Sequence, residues 1–91
     1  MQVKGKIIAE MPMKSGISKA SGKEWKSKEY VILLEGNDDH PKRICFEVFG
    51  EDRIREFFIN VGDELTVHLD IDAREYNGIW YNTIRAWKVD K

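Results

Sequence analysis

Ninety-one residues, 42% of them hydrophobic and 11% aromatic, make one domain spanning residues 1–91, with enough apolar side chain for one core. The formal net charge of −1 argues against a strongly basic nucleic-acid binder, and the single cysteine, Cys45, excludes an internal disulfide and the paired thiolates of a structural zinc site. No run approaches the roughly 20 apolar residues that span a bilayer, and the N-terminus lacks the apolar block of a signal peptide, so a cytoplasmic protein with no membrane partner is expected.

In chain order, Val3, Gly5, Ile7 and Ala9 alternate with Gln2, Lys4, Lys6 and Glu10, the period of a half-buried strand. Ile8 breaks the alternation, and Gly5 predicts a bend or bulge. Met11-Pro12 ends the strand. Residues 13–24 carry Lys14, Ser15, Gly16, Ser18, Lys19, Ser21, Gly22 and Lys23, which is loop chemistry. A loop this long in a small domain is either functional or mobile. A second strand is predicted from Trp25 to Glu35, with Tyr30-Val31-Ile32-Leu33-Leu34 covered on both sides. A turn follows over residues 36–41. Lys42 to Phe49 reads as a third strand, with Ile44, Phe46 and Val48 facing the core and Arg43, Cys45, Glu47 and Phe49 facing out.

Residues 51–58 form the one convincing helix, with acids at its start to suit the helix dipole. Ile54, Phe57 and Phe58 give it one apolar stripe, which points to core packing. After the turn Val61-Gly62-Asp63, the residues Leu65, Val67, Leu69, Ile71 and Ala73 alternate with polar neighbours in the clearest strand of the chain. Asn77-Gly78 is a strong hairpin signal, and the return strand runs from Ile79 to about Val89.

Five strands with one short helix between the third and the fourth is the order of an OB-fold barrel, an all-β fold. In that fold ligands lie across strands two and three, flanked by the loops joining strands one to two and four to five. Residues 1–28 hold seven lysines and two acids, whereas the remaining residues are net acidic. One positive surface on an otherwise acidic protein is therefore expected, or else a merely soluble loop. Lys14, Lys19, Lys23, Lys26 and Lys28 are placed to track a phosphate backbone. Trp25, Phe49, Tyr76, Trp80, Tyr81 and Trp87 are the flat side chains on which bases could stack. Strand parity puts Ile84 and Ala86 in the core and exposes Tyr81, Arg85 and Trp87; the alternative for Trp87 is a cap on the end of the barrel.

The stretch Arg43-Ile44-Cys45-Phe46-Glu47-Val48-Phe49-Gly50, a helix, and then Val61-Gly62-Asp63-Glu64-Leu65-Thr66-Val67 resembles bacterial single-stranded-DNA-binding proteins. The hairpin Arg74-Glu75-Tyr76-Asn77-Gly78 followed by Tyr81-Asn82-Thr83 extends the likeness, which covers about residues 42–87. The resemblance implies that Phe49 stacks on bases and that the chain forms a homo-oligomer. It departs at Arg43, where that family often has a tryptophan, and in lacking an acidic, glycine-rich tail. The whole chain also resembles short bacterial OB-fold proteins, through Gly-x-x-Trp-Lys, Phe-Glu-Val-Phe-Gly and Trp-Tyr-x-x-x-Arg-Ala-Trp.

The expected function is single-stranded nucleic-acid binding, DNA before RNA, through Lys14, Lys19, Lys23, Trp25, Lys26, Lys28, Arg43, Phe49, Arg74, Tyr81 and Arg85. The competing expectation is a protein-interaction or oligomerisation module without nucleic acid. No catalytic set, glycine-rich phosphate loop or metal-ligand spacing appears: His40 and His68 are far apart among unlike neighbours, and Asp70 and Asp72 read as solvated acids. No enzyme activity, cofactor or metal is expected.

Overall fold

The computed structural model describes residues 1–36 and 39–91. Asn37 and Asp38, in the turn anticipated over 36–41, lie outside the described residues. The strands are β1 (Gln2–Glu10), β2 (Lys14–Ile17), β3 (Glu24–Leu34), β4 (Arg43–Phe49), β5 (Glu64–Tyr76) and β6 (Ile79–Asp90), with the helix α1 (Glu51–Phe57) between β4 and β5. The sheet order is β1-β5-β6-β4-β3-β2, and β1 also pairs with β3. Five strands thus form a ring, with β2 folded back on β3 as a sixth.

The helix occupies the residues anticipated for it, but it follows four strands and not three, because Lys14–Ile17 is a strand inside the segment read as loop. Its register with β3 runs Lys14↔Ser27, Ser15↔Lys26, Gly16↔Trp25 and Ile17↔Glu24. Nothing in Lys-Ser-Gly-Ile alternates, so the partner strand defines it. The tip is closed by Ser18 N–H donating to the Lys23 carbonyl at 2.9 Å and Gly22 N–H to that of Ser18 at 2.8 Å.

Ring closure falls to β1. Its first half pairs with β5, from Gln2↔His68 to Lys6↔Glu64. Its second half pairs with β3, from Gly5↔Leu34 to Glu10↔Tyr30, with the register shifting between Ile7 and Ala9. Ile8 is therefore a bulge residue, which explains the broken alternation. Gly5 belongs to both ladders, and a Cβ there would sit 2.0 Å from the Leu33 carbonyl oxygen. The bend lies at Ile8; Gly5 instead permits close approach of two backbones. On the far side of the ring, β4 meets β6 through one parallel pairing, Glu47↔Arg85.

The core is Ile7, Tyr30, Ile32, Phe46, Val48, Ile59, Leu65, Val67, Leu69 and Ala86. Ile44 and Ile84 pack against it, and the rings of Tyr30 and Phe46 stack at 5.7 Å. Strand parity therefore holds on β4 and on the lower half of β6. The helix stripe needs correction. Ile54 and Phe57 pack against the core, but Phe58 is the left-handed C-cap residue at φ 45° and is 67% exposed. That cap turns Phe58 outward, under the Lys91 ammonium at 5.2 Å, and Ile59 fills the core in its place. The pattern on β5 also ends sooner than its sequence does. Leu65, Val67 and Leu69 are buried, but Ile71 is 51% exposed, because β5 and β6 run on past the ring as a two-stranded arm. The arm closes at Asn77-Gly78 with φ 51° and 82°, the positive values of a type I′ hairpin turn. No helix among the described residues is long and apolar enough to cross a membrane.

Candidate nucleic-acid interface

Alternate residues of a strand face opposite ways. Because Tyr30, Ile32, Phe46, Val48 and Ala86 point inward, Trp25, Ser27 and Glu29 on β3, Arg43, Cys45, Glu47 and Phe49 on β4, and Tyr81, Thr83 and Arg85 on β6 point outward together. Lys14 and Gly16 extend this outer face through β2, and Asp70, Asp72 and Arg74 through β5. Lys14, Trp25, Arg43, Phe49, Arg74, Tyr81 and Arg85 of the anticipated site therefore share one face.

Two rows cross this face. The aromatic row holds Trp25 and Phe49, with ring centroids 6.2 Å apart and planes inclined by 21°. The Arg85 guanidinium lies over the Phe49 ring at 5.0 Å. Gly16 backs the stack: a Cβ there would come within 2.6 Å of the Trp25 ring, so β2 can lie against the indole only with glycine at this position. Phe49 is 42% exposed and Trp25 half-buried, leaving an apolar step open to solvent. Beside it, Glu24, Trp25, Lys26, Phe49, Gly50 and Glu51 line an open groove of about 350 Å³.

The charged row lies one pleat away. Glu29 pairs with Glu47, Glu47 with Arg85, and Arg85 with Asp70, so ionised residues of four adjacent strands stand side by side. Two carboxylates directly opposite would repel, but each has its own cation. Lys14 Nζ donates to Glu29 Oε1 at 2.5 Å, and Arg85 Nε donates to Glu47 Oε1 at 2.9 Å. The Lys14 ammonium holds the Glu29 carboxyl below its ordinary value of 4.5, and Glu29 holds Lys14 above 10.5. Cys45 Sγ donates to the other Glu29 oxygen at 3.5 Å. Desolvation by its neighbours and that carboxylate both push the thiol up, which makes it a poor thiolate. Farther along, Asp70, Asp72, Arg74, Thr83 and Arg85 line a small cavity of about 80 Å³.

The Lys14–Glu29 pair gives a pH signature. A lowered Glu29 pKa adds stability that is present above 4.5 and lost as pH falls through the folded value. A raised Lys14 pKa adds stability that is present below 10.5 and lost as pH rises through the folded value. The difference in melting temperature between wild type and Glu29→Gln is expected to be level between these limits and to shrink on both sides. A difference that does not change across the acid limit would exclude the pair as its source.

The positive surface anticipated from the lysine-rich first third is not assembled. Lys26 is 3.8 Å from Glu24 and 3.5 Å from Glu51, and Lys28 is 3.2 Å from Glu10. Both lie on the core-facing parity of β3, Lys26 at the groove beside the stack and Lys28 off the candidate face. Lys19 and Lys23, at the β2–β3 tip, have no acidic side chain within 4.0 Å among the described residues. Across the outer face Lys14 and Arg85 are paired with Glu29 and Glu47, while Arg43, Arg74, Asp70 and Asp72 make no ion pair among the described residues. The acids that neutralise Lys14, Lys26 and Lys28 come partly from other strands, so a local charge count could not reveal them. Gly16 and Glu29 are the contributors that sequence reasoning passed over. Trp87 neither joins the aromatic pair nor caps the core. It is half-exposed beside His68, with ring centroids 5.2 Å apart, and His68 Nε2 lies 2.8 Å from Asp90 Oδ2.

The family model for the domain of unknown function DUF3127 matches residues 2–90, so the chain belongs to that family. A search of curated proteins finds no match.

Proposed function

We propose that the outer face of β3, β4 and β6 binds single-stranded nucleic acid, DNA in preference to RNA, as a non-catalytic OB-fold barrel. The stack of Trp25, Phe49 and Arg85 carries this reading. A flat apolar step beside a guanidinium offers what a splayed base needs, and such stacking contributes about 1–3 kcal/mol per base whatever the sequence. The strand order supports the scaffold: a five-stranded ring presenting this face, with a hairpin at each flank, matches the ligand-binding geometry of OB-folds. Arg43, Arg74 and Tyr81 lie farther along the same face and would guide the strand past the stack. An exposed, protonated Cys45 suits a reducing cytoplasm.

Charge balance sharpens the expectation. With Lys14 and Arg85 engaged by carboxylates, the cations along this path without an ion pair among the described residues are the tip lysines Lys19 and Lys23 and, farther along, Arg43 and Arg74. About four counterions released predicts a slope near −2.8 in log K against log salt, or about fiftyfold weaker binding at about 200 mM than at about 50 mM salt. Titrating intrinsic tryptophan fluorescence with oligo-dT at both concentrations tests this. Quenching with a slope of that size is expected, and no binding at the lower salt overturns the proposal. The competing reading, a protein-interaction module, is favoured by the apolar arm and is carried by a different surface.

A further inference from the structure

We infer that the arm formed by the ends of β5 and β6 is a self-association surface, and that its occupant is the same arm of a second copy of this chain. The register sorts the arm into two faces. Asp70, Asp72, Arg74 and Tyr76 with Ile79, Tyr81, Thr83 and Arg85 continue the outer face of the ring. Ile71, Ala73 and Glu75 with Trp80, Asn82 and Ile84 continue the core-facing side, since Leu69 and Ala86, paired one step below, are buried.

The second face is written as interior and has nothing of its own to cover it. Its apolar alternation continues from Leu69 through Ile71 and Ala73, yet Ile71 is 51% and Trp80 66% exposed. β1 pairs with β5 only as far as His68, and β4 pairs with β6 only at Arg85, so among the described residues no other strand pairs with the arm. Two-stranded ribbons are marginally stable alone in water, and clustered exposed apolar side chains mark association surfaces.

A second copy fits this face better than another partner does. Glu75 is its one ionised residue, so it has no charge pattern for a nucleic acid or a strongly charged protein to match. Its shape matches itself. With a two-fold axis through the Ala73↔Asn82 pair, the Glu75↔Trp80 pair lies one step to one side and the Ile71↔Ile84 pair one step to the other. Antiparallel packing therefore lays each Trp80 over the partner's Ile84 and the stem of each Glu75 along the partner's Ile71 at the open strand edge, sets Ala73 on Ala73, and brings the two Asn82 amides together. This is an isologous contact. A contact of six residues per copy is smaller than the roughly 800 Å² per partner of a stable interface, so a weak, concentration-dependent dimer is expected. The outer face, with Arg74, Tyr81 and Arg85, stays open, so dimerisation and ligand binding are separable.

Sedimentation of the full chain from about 1 to about 200 µM tests this. The weight-average mass is expected to rise from the 10.6 kDa monomer towards twice that value. Ile71→Asp and Trp80→Asp should each weaken dimerisation at least about tenfold. Ile17→Asp, at a more exposed isoleucine on β2, should leave it unchanged, and far-UV circular dichroism should show the fold intact in all three. A wild type that stays monomeric across the range overturns the inference. So does a dimer that survives both arm variants, or one lost equally in Ile17→Asp. Because no oligonucleotide is present, the outcome is independent of the nucleic-acid reading.

Discussion

Gly5→Ala is expected to cost at least about 3 kcal/mol, the upper part of the range for overpacked sites, and to lower the melting temperature by about 15 °C or more. The added methyl would meet the Leu33 carbonyl oxygen at 2.0 Å and its carbon at 2.8 Å, and backbone atoms of a paired strand cannot turn aside as a side-chain tip can. Relief requires β1 to move away from β3. Since Gly5 pairs with Leu34 on one side and Leu65 on the other, moving it disturbs two ladders together. Gly36→Ala is the control, because a Cβ there meets nothing within 4 Å. Thermal melts followed by circular dichroism measure both. A Gly5→Ala protein melting within a few degrees of wild type would show that the two strands can separate locally without opening the ring.

Replacing either member of the Trp25–Phe49 stack is expected to weaken oligonucleotide binding by about 1–3 kcal/mol, or about 5- to 150-fold in dissociation constant. The double replacement should cost less than the sum, because each ring supports the other and neighbouring sites do not add. Phe58→Ala removes a more accessible phenylalanine from the opposite end of α1 and should leave binding unchanged. Gly16→Ala supplies an orthogonal test: it retains both rings and forces the indole aside, so it should weaken binding while leaving the aromatic composition intact. Fluorescence anisotropy of a labelled oligo-dT reads all five variants. Wild-type affinity in Trp25→Ala and Phe49→Ala would remove the stack as the binding step.

The parts of the fold that could be read in advance are those in which one strand's own pattern suffices. Phe46 and Val48 inward with Cys45 and Phe49 outward followed from the polarity of Glu47, and the Asn77-Gly78 turn from its demand for positive φ. What stayed hidden depends on partners distant in sequence. Lys14–Ile17 becomes a strand because β3 offers it an edge. Phe58 leaves the core because the helix ends in a left-handed residue, and a hydrophobic stripe carries no signal of its own termination. Ile71 continues an alternation whose covering strand has already stopped. The candidate site divides in the same way. Its aromatic members were visible as residue types, and the outward placement of Phe49 as parity. The neutralisation of its lysines was not visible, since Lys14 finds Glu29 fifteen positions away and Lys26 finds Glu51 across the turn into the helix.

Because β1 belongs to two ladders, it also sets an order of events for a chain emerging from its N-terminus. Its second half meets β3 within the first 34 residues, but its first half must wait until residues 64–68 exist. Until then Gly5 has one of its two strand partners and Val3 has none, and the hydrogen-bonding edge that β5 will take stands open. Closing so wide a loop is entropically costly and rewarded only at the end, the condition that places β-rich topologies among slow folders. The same strand that joins the two sides of the finished ring is therefore the most exposed strand of the growing chain, and Lys4 and Lys6, charged residues on that waiting edge, suit it to remain unpaired.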